Sequence, residues 1–428
     1  MKKISKCVAS MMALASLALL SSCGQKETAK KADDSVTLKW ALWDWDATAY
    51  YKPLIDEYTK THPNVKIEPL DLGSQDYSTM LSIQLTGGDD TIDVVTIKDI
   101  PGYNTLQKAK QLVNLNDFIK EKSIDTSLYG GTTEQITVGG NLYALPFRSD
   151  FWVVFYNKAL FDKAGVPYPT NDMTFAEYDK LARKMTSGSG AEKVYGAHYH
   201  TWRSAVQLFG VLDGKHTIVD GKYDFLKPYY ETILAEQKDG IVQSYAQLKT
   251  TSTHYSGVFY NNSVAMMNMG SWFIGTLIQK VKAGEADCKD WAMVKYPHPD
   301  GIKAGTTLGT ITSLGVSSAS KKKEAALDFV EFVTGPLGAE VIAKTGTFPA
   351  IKNESVIRVI SSMDGFPKDE NSAQALYTEK TYLEMPLHEK ASEIEVILNQ
   401  QHDNIMTGNI SIDDGLAEME KGVAPYIK

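Results

Sequence analysis

Apolar positions along the chain follow two alternating rhythms. Val36-Thr37-Leu38-Lys39-Trp40-Ala41-Leu42-Trp43 is apolar, β-rich and partly alternating, which predicts a strand. Residues 47–60 place Leu54, Ile55 and Tyr58 on one helical face. Val65 to Leu70 predicts a second strand, 77–85 a helix, and Ile92-Asp93-Val94-Val95-Thr96-Ile97 a third strand. Strand, helix, strand, helix, strand with short connections is the sequence form of a parallel α/β sheet. Ligands of such sheets sit beyond the carboxyl ends of the strands. That rule brings Trp43-Asp44-Trp45-Asp46 and Lys98-Asp99 to the edge of a candidate site.

The pattern continues downstream. Leu142 to Phe147 predicts a strand ending near Pro146, and Trp152 to Tyr156 another. Residues 174–186 form a helix opened by Thr174, with Glu177 completing a capping box. Val264 to Met269 is an apolar run ending at Gly270-Ser271-Trp272. Lys321 to Val333 is a helix with Ala325, Ala326, Phe329, Val330 and Val333 on its apolar face. It stops at Gly335, and Pro336 opens the next helix. No internal repeat runs at a fixed period.

Composition narrows the class. The 428 residues suit two or three domains, and 43% hydrophobic with 22% charged residues excludes wholesale disorder and a fibrous repeat. A formal net charge of -8 argues against a nucleic-acid partner, whose binder would be basic. Basic residues are nearly all lysine, the only arginines being Arg148, Arg183, Arg203 and Arg358.

The first residues alter that arithmetic. Lys2, Lys3 and Lys6 precede an apolar run from Cys7 to Leu20, then Ser21, Ser22 and Cys23, which are the parts of an export signal. Leu20-Ser21-Ser22-Cys23 also resembles a bacterial lipoprotein signal, in which the cysteine is lipidated and becomes the first mature residue. An ordinary signal peptide with an incidental Cys23 is the plainer alternative. Residues 1–22 are thus expected to be a signal peptide, and 23–35 a lipidated cysteine with a flexible tether. Loss of residues 1–22 removes three lysines and no acid, taking the net charge from -8 to -11. Cys288 is then the one remaining thiol, which excludes an intramolecular disulfide and suits a small buried hydrophobe. No later segment carries 18 uncharged apolar residues, so no transmembrane helix is expected.

The chain has no Gly-x-Ser-x-Gly elbow, no dinucleotide fingerprint and no phosphate loop, so no cofactor is expected. His198-x-His200 has two imidazoles at strand spacing but no supporting ligand, so no metal is expected; His200 suits a hydrogen-bonding wall or the core. The aromatics are more informative. Trp43, Trp45, Trp152, Trp202 and Trp272 fall near predicted strand ends, with Asp44, Asp46, Arg148, Asp150 and Arg203 close by. Indole rings cover the apolar C–H face of a sugar, while carboxylates and guanidinium forks take its hydroxyl rim. Core or interdomain packing is the alternative for any one of these tryptophans.

A series of segments resembles the extracellular solute-binding proteins of ABC transporters, in their maltose-binding-like, sugar-binding group. They are Asp93-Val94-Val95, Leu142 to Phe147, Phe155 to Phe161, Ala164-Gly165-Val166-Pro167, Thr174 to Tyr178, Val264 to Trp272, Ser320 to Ala326 and Thr345 to Ala350. The resemblance runs from about residue 36 to the C-terminus. It implies a two-lobed α/β periplasmic-binding-protein fold with a ligand cleft between lobes joined by crossover segments. Lobe 1 would take 36–146 plus 300–346 and lobe 2 would take 149–297 plus 350–428, with hinges near Pro146–Arg148, Pro297–Pro299 and Gly346–Pro349.

The implied ligand residues follow the matching motifs. Trp272 matches an aromatic platform after Gly-Ser, and Asp150 a hydroxyl-binding carboxylate. Asp44 and Trp45 match the loop after the first strand, and Lys98 and Asp99 the loop after the third. With the aromatic reading, the expected ligand set is Trp43, Asp44, Trp45, Lys98, Asp99, Arg148, Asp150, Trp152, His200, Trp202, Arg203 and Trp272. Two departures stand out. Asn262-Ser263 replaces the family's usual Gly-Lys, and Ile97 replaces an aromatic of some maltodextrin binders, which argues against malto-oligosaccharides.

The implied role is that of a non-enzymatic monomer, exported and held by its lipid anchor on the outer face of the bacterial membrane. It would pass a carbohydrate to ABC permease subunits. Two other readings stay open: the same fold binding a polyamine, peptide or phosphodiester, and an exported carbohydrate-active enzyme. A polyamine site would show carboxylates without arginine, which Arg148 and Arg203 oppose.

Overall fold

The computed structural model describes residues 35–74, 77–87, 91–351 and 353–427. The expected signal peptide, Cys7, Cys23 and, apart from Ser35, the tether lie outside the described residues. The strands are β1 (Val36–Leu42), β2 (Val65–Asp71), β3 (Ile92–Ile97), β4 (Leu145–Asn157), β5 (Tyr195–His198), β6 (Val264–Gly270), β7 (Trp291–Lys295), β8 (Thr306–Val316) and β9 (Lys380–Leu383). Their order is β2-β1-β3-β8-β4-β6-β5, with β7 beside β4 and β9 beside β8.

The first lobe is built as its periodicity requires. β1 runs parallel to β2, with Val36 opposite Val65 and Leu42 opposite Asp71, and parallel to β3 on its other side. The helices Tyr51–Thr61 and Tyr77–Thr86 make the connections. Every residue of β3 is buried, the signature of a strand covered on both faces. Trp40 is sealed edge-on between Tyr51 at 5.1 Å and Phe329 at 5.2 Å, so the helix Lys323–Thr334 covers this sheet.

The two strands expected at 142–147 and 152–156 are one. All thirteen residues of β4 are buried. Arg148, Ser149 and Asp150 break the apolar pattern but not the strand, because Arg148 and Asp150 are ion-paired to each other. β4 pairs antiparallel with β8 through Leu145–Phe151, then with β6 and β7 through Trp152–Asn157. It therefore belongs to both halves of the sheet.

A third segment lies against this crossing. Arg148 bridges Pro349, and the Ala350 N–H donates to the Phe147 carbonyl at 2.9 Å. Three passages of the chain thus run side by side: 147–151, 309–313 and 347–350. The middle passage belongs to β8 instead of Pro297–Pro299, which packs on a helix start. There the Phe175 N–H donates to the His298 carbonyl at 3.1 Å. Gly309 allows the close approach, since a Cβ there would stand 2.7 Å from the Asp150 carbonyl oxygen.

In the second lobe β5 and β6 are parallel, while β6 and β7 run antiparallel to β4. The helix Phe175–Met185 carries both bonds of the Thr174–Glu177 capping box. Asn262 takes a left-handed φ of +59° before β6, a conformation asparagine tolerates, so this turn forms without the glycine usual there. Cys288 is free and buried among Phe155, Phe259, Met293 and Trp291, and burial pushes its thiol up to about 12. The helices Ala391–Met406 and Ile412–Val423 pack on each other, and the first also packs on Ile100–Lys108. Among the described residues, no helix is long and apolar enough to cross a membrane.

Candidate functional site

Beyond β1 the chain turns sharply. Asp44 adopts φ +50°, and its carbonyl accepts from the Ala47 and Thr48 N–H groups. Trp43 packs edge-on to Tyr77 at 4.9 Å, and the Lys98 ammonium lies 5.4 Å from its ring. Lys98 Nζ also donates to the Ser74 carbonyl at 2.7 Å. Burial lowers the Lys98 pKa, partly offset by Asp99 and Asp44. Trp45 departs from this group and stacks on Tyr51 at 6.0 Å, with Lys52 over its ring.

Asp99 caps the helix Ile100–Lys108, accepting from the Gly102 N–H at 2.8 Å. Burial raises its carboxyl above the ordinary value, although the cap pulls the other way.

The second lobe contributes an aromatic wall. Trp272 meets Trp152 at 5.8 Å and Trp202 at 6.2 Å, while Trp202 meets His200 at 4.5 Å and Tyr255 at 5.7 Å. Trp272 Nε1 donates to the Tyr255 hydroxyl at 3.2 Å. Gly270 is required by this arrangement, because a Cβ there would lie 1.9 Å from the Trp272 ring. Trp202 is 39% exposed, an unusual state for so large an apolar side chain. Burial lowers His200 of the wall to about 3 and His198 behind it to about 4, so both imidazoles are neutral. The described residues contain no group of three or more side chains able to hold a metal ion.

A cavity of about 90 Å³ is lined by Asp99, Arg203, Glu384 and Glu395, with Gly309–Ile311 of β8 beside them. Arg203 grips Glu395 with both prongs, Nε donating to Oε1 at 2.9 Å and Nη2 to Oε2, and Nη1 reaches Gln207 at 3.3 Å. Burial would lower the Arg203 guanidinium, but Glu395 holds it above the usual value. Trp152 Nε1 donates to Glu384 Oε1.

Arg148 and Asp150 stand elsewhere. Arg148 Nη1 donates to the Tyr50 hydroxyl at 2.7 Å, Nη2 to Asp150 Oδ2, and Ser271 Oγ donates to Asp150 Oδ1 at 2.9 Å. Burial would lower Arg148, yet Asp150 and Tyr50 hold it above the ordinary arginine value. This pair ties β4 to Tyr50 on one side and Ser271 on the other.

The structure therefore sorts the twelve expected residues into groups. Asp99 and Arg203 line the cavity; Trp152, His200, Trp202 and Trp272 form the wall; Trp43, Asp44 and Lys98 stand together beyond β1 and β3. Arg148 and Asp150 sit at the crossing, and Trp45 packs within the first lobe. Sequence reasoning missed Glu384, Glu395, Tyr50 and Tyr255. Glu395 follows Ile394 in an amphipathic helix, where a carboxylate reads as a solvated surface residue. Both arginines are held by carboxylates, so they no longer oppose a cationic ligand.

Comparison with known proteins fits this geometry. A family model for the bacterial extracellular solute-binding protein matches residues 44–340. The chain is 59% identical to a sugar transporter of Rhizobium etli solved in an open conformation. That alignment covers 91% of this chain and 99% of that one, with a TM-score of 0.78. It is 25% identical over 293 residues to an uncharacterised ABC transporter extracellular-binding protein of Pyrococcus horikoshii, covering 65% of this chain and 64% of that one. It is 26% identical over 197 residues to an arabinooligosaccharide-binding protein of Bacillus subtilis, covering 44% and 43%. The match thus spans less than two thirds of the length of these two curated relatives.

Proposed function

The chain belongs to the bacterial extracellular solute-binding proteins, and on that premise we propose that it binds a carbohydrate between its lobes for an ABC importer. The observation that carries this reading is the exposed Trp202 beside Trp272, backed by the buried Trp152, whose indole N–H donates to Glu384 of the neighbouring cavity. Indole faces match C–H surfaces of a pyranose, and Asp99, Arg203, Glu384 and Glu395 match its hydroxyls. The ligand in this reading is an oligosaccharide, with the exposed Trp202 and the half-buried Trp272 as its platforms. The 90 Å³ cavity is below the ~300 Å³ of a small-ligand pocket, so the lobes must part before a sugar enters.

In this reading lobe 1 is 36–146 plus 314–346, and lobe 2 is 152–308 plus 351–428, with the passages 147–151, 309–313 and 347–350 crossing between them. Sugar favours the closed form by its greater affinity for it, and the closed form docks on permease subunits. Residues 1–22 direct export, Cys23 carries the lipid anchor, and 23–35 tether the lobes to the outer face of the membrane. The protein catalyses no reaction and acts as a monomer.

A thermal-shift panel of maltose, mannotriose, arabino-oligosaccharides, a polyamine, a peptide and sn-glycerol 3-phosphate tests the reading. Sugar at a hundred times its Kd adds ~2.7 kcal/mol of stability. A shift by a non-sugar alone moves the assignment to that solute. Cleavage of an oligosaccharide on incubation contradicts the non-enzymatic role.

A further inference from the structure

Glu384 lines the cavity, and the sugar reading uses it only as one of four hydroxyl partners. Its backbone N–H donates to the Gly309 carbonyl at 3.1 Å, which fixes it to β8. Its carboxylate accepts the Trp152 indole N–H, so it orients the one wall tryptophan that lies on the crossing strand. Four other groups face it: Arg203 ahead of the helix Ser204–Val211, Glu395 of Ala391–Met406, Asp99 at the cap of Ile100–Lys108, and Tyr296 after β7. Arg203 is the only cation among them, and Glu395 already holds two of its prongs.

We propose that Glu384 is a positioning residue: its carboxylate fixes the buried Trp152 ring behind Trp272, and its charge opposes shutting the cleft against Asp99 and Glu395. The inference rests on the sugar reading for its ligand. Burial is the largest influence on Glu384 and raises its carboxyl to about 7, with Trp152 and Arg203 lowering it and Glu395 and Asp99 raising it. Parting the lobes returns water and moves the group back toward the ordinary carboxylate range of ~4–4.5. Closing therefore takes up a proton. That contribution is complete below the open-form value and is lost as pH rises through about 7.

The test is calorimetric titration of the full chain from pH 5 to pH 8 with maltose, mannotriose and arabinotriose. Beside it runs a tryptophan-fluorescence pH titration of the ligand-free protein. Wild type should lose at least about tenfold in sugar affinity over that range, and the ligand-free protein, titrated down to about pH 3.5, should show a fluorescence transition between ~4.5 and about 7. Glu384→Gln keeps the acceptor oxygen without the charge, so both profiles should flatten. Glu384→Ala removes the acceptor and should weaken binding at every pH. A Glu384→Gln protein that keeps the wild-type slope, or a Glu384→Ala protein that binds as wild type does, overturns the proposal. The fluorescence titration needs no ligand. A chain that binds none of the three sugars therefore overturns the sugar reading alone, while a flat wild-type titration overturns the role of Glu384.

Discussion

Arg148 and Arg203 each pair with a carboxylate, but Arg148 finds its partner two residues away on one strand, whereas Arg203 finds Glu395 192 residues onward on a helix. The first pair is closed to water, with side chains 9% and 1% exposed; in the second, Glu395 is 26% exposed and lines the cavity. The first pair is local in sequence and fastens the crossing strand β4 to Tyr50 and Ser271. The second is assembled only by the fold and stands where a ligand would meet it. Similar side-chain chemistry therefore serves cohesion at one place and recognition at the other, and solvent access separates the two.

The largest effect should come from breaking the sealed pair. Asp150→Ala leaves Arg148 buried and uncompensated, and chemical denaturation should show a loss of ~3–5 kcal/mol. Replacing both partners with apolar residues of similar volume should cost much less. A single variant within about 1 kcal/mol of wild type would show that water reaches Arg148 after all.

Acid should strike the wall. His198 is buried and neutral, with its pKa lowered to about 4 by burial, so the folded state binds fewer protons than the unfolded chain below about 6.5. Stability is complete above that value and falls as pH drops toward 4, by ~2 kcal/mol between pH 6.5 and 5. Denaturation series at both pH values should show the loss in wild type and a smaller one in His198→Gln. Equal losses would place the acid sensitivity elsewhere.

Opening the second pair should separate stability from binding. Glu395→Gln removes a charge that water can replace, so we expect a loss of ~1–2 kcal/mol in denaturation. Sugar affinity should nevertheless fall about tenfold, equivalent to ~1.4 kcal/mol. A variant that loses 3 kcal/mol or more of stability would make the two pairs alike. Trp272→Ala should weaken binding by about tenfold, equivalent to ~1.4 kcal/mol. Unchanged affinity would remove Trp272 from the site.

Much of the scaffold was legible because its signals are local. Periodicity marked β1, β2 and β3 within a residue of their ends, and Thr174 with Glu177 announced a helix start that the structure bears out. Trp272 was expected from the resemblance, as an aromatic after Gly-Ser, and the structure adds that Gly270's missing Cβ makes room for its ring. The single strand β4 was not, because Arg148 and Asp150 look like a polar interruption until their mutual pairing is seen. Glu384 and Glu395 were hidden for the opposite reason. Each is an ordinary carboxylate in its own segment and gains meaning only from Trp152 and Arg203, brought from 232 and 192 residues away.

Hydrogen exchange with and without bound sugar tests the central claim most directly. Sugar held between the lobes should slow exchange together at 98–105, 200–204, 254–256, 270–273 and 384–395, from both sides of the cavity. Protection confined to one side, or absent from all five segments while the sugar binds, would contradict the account.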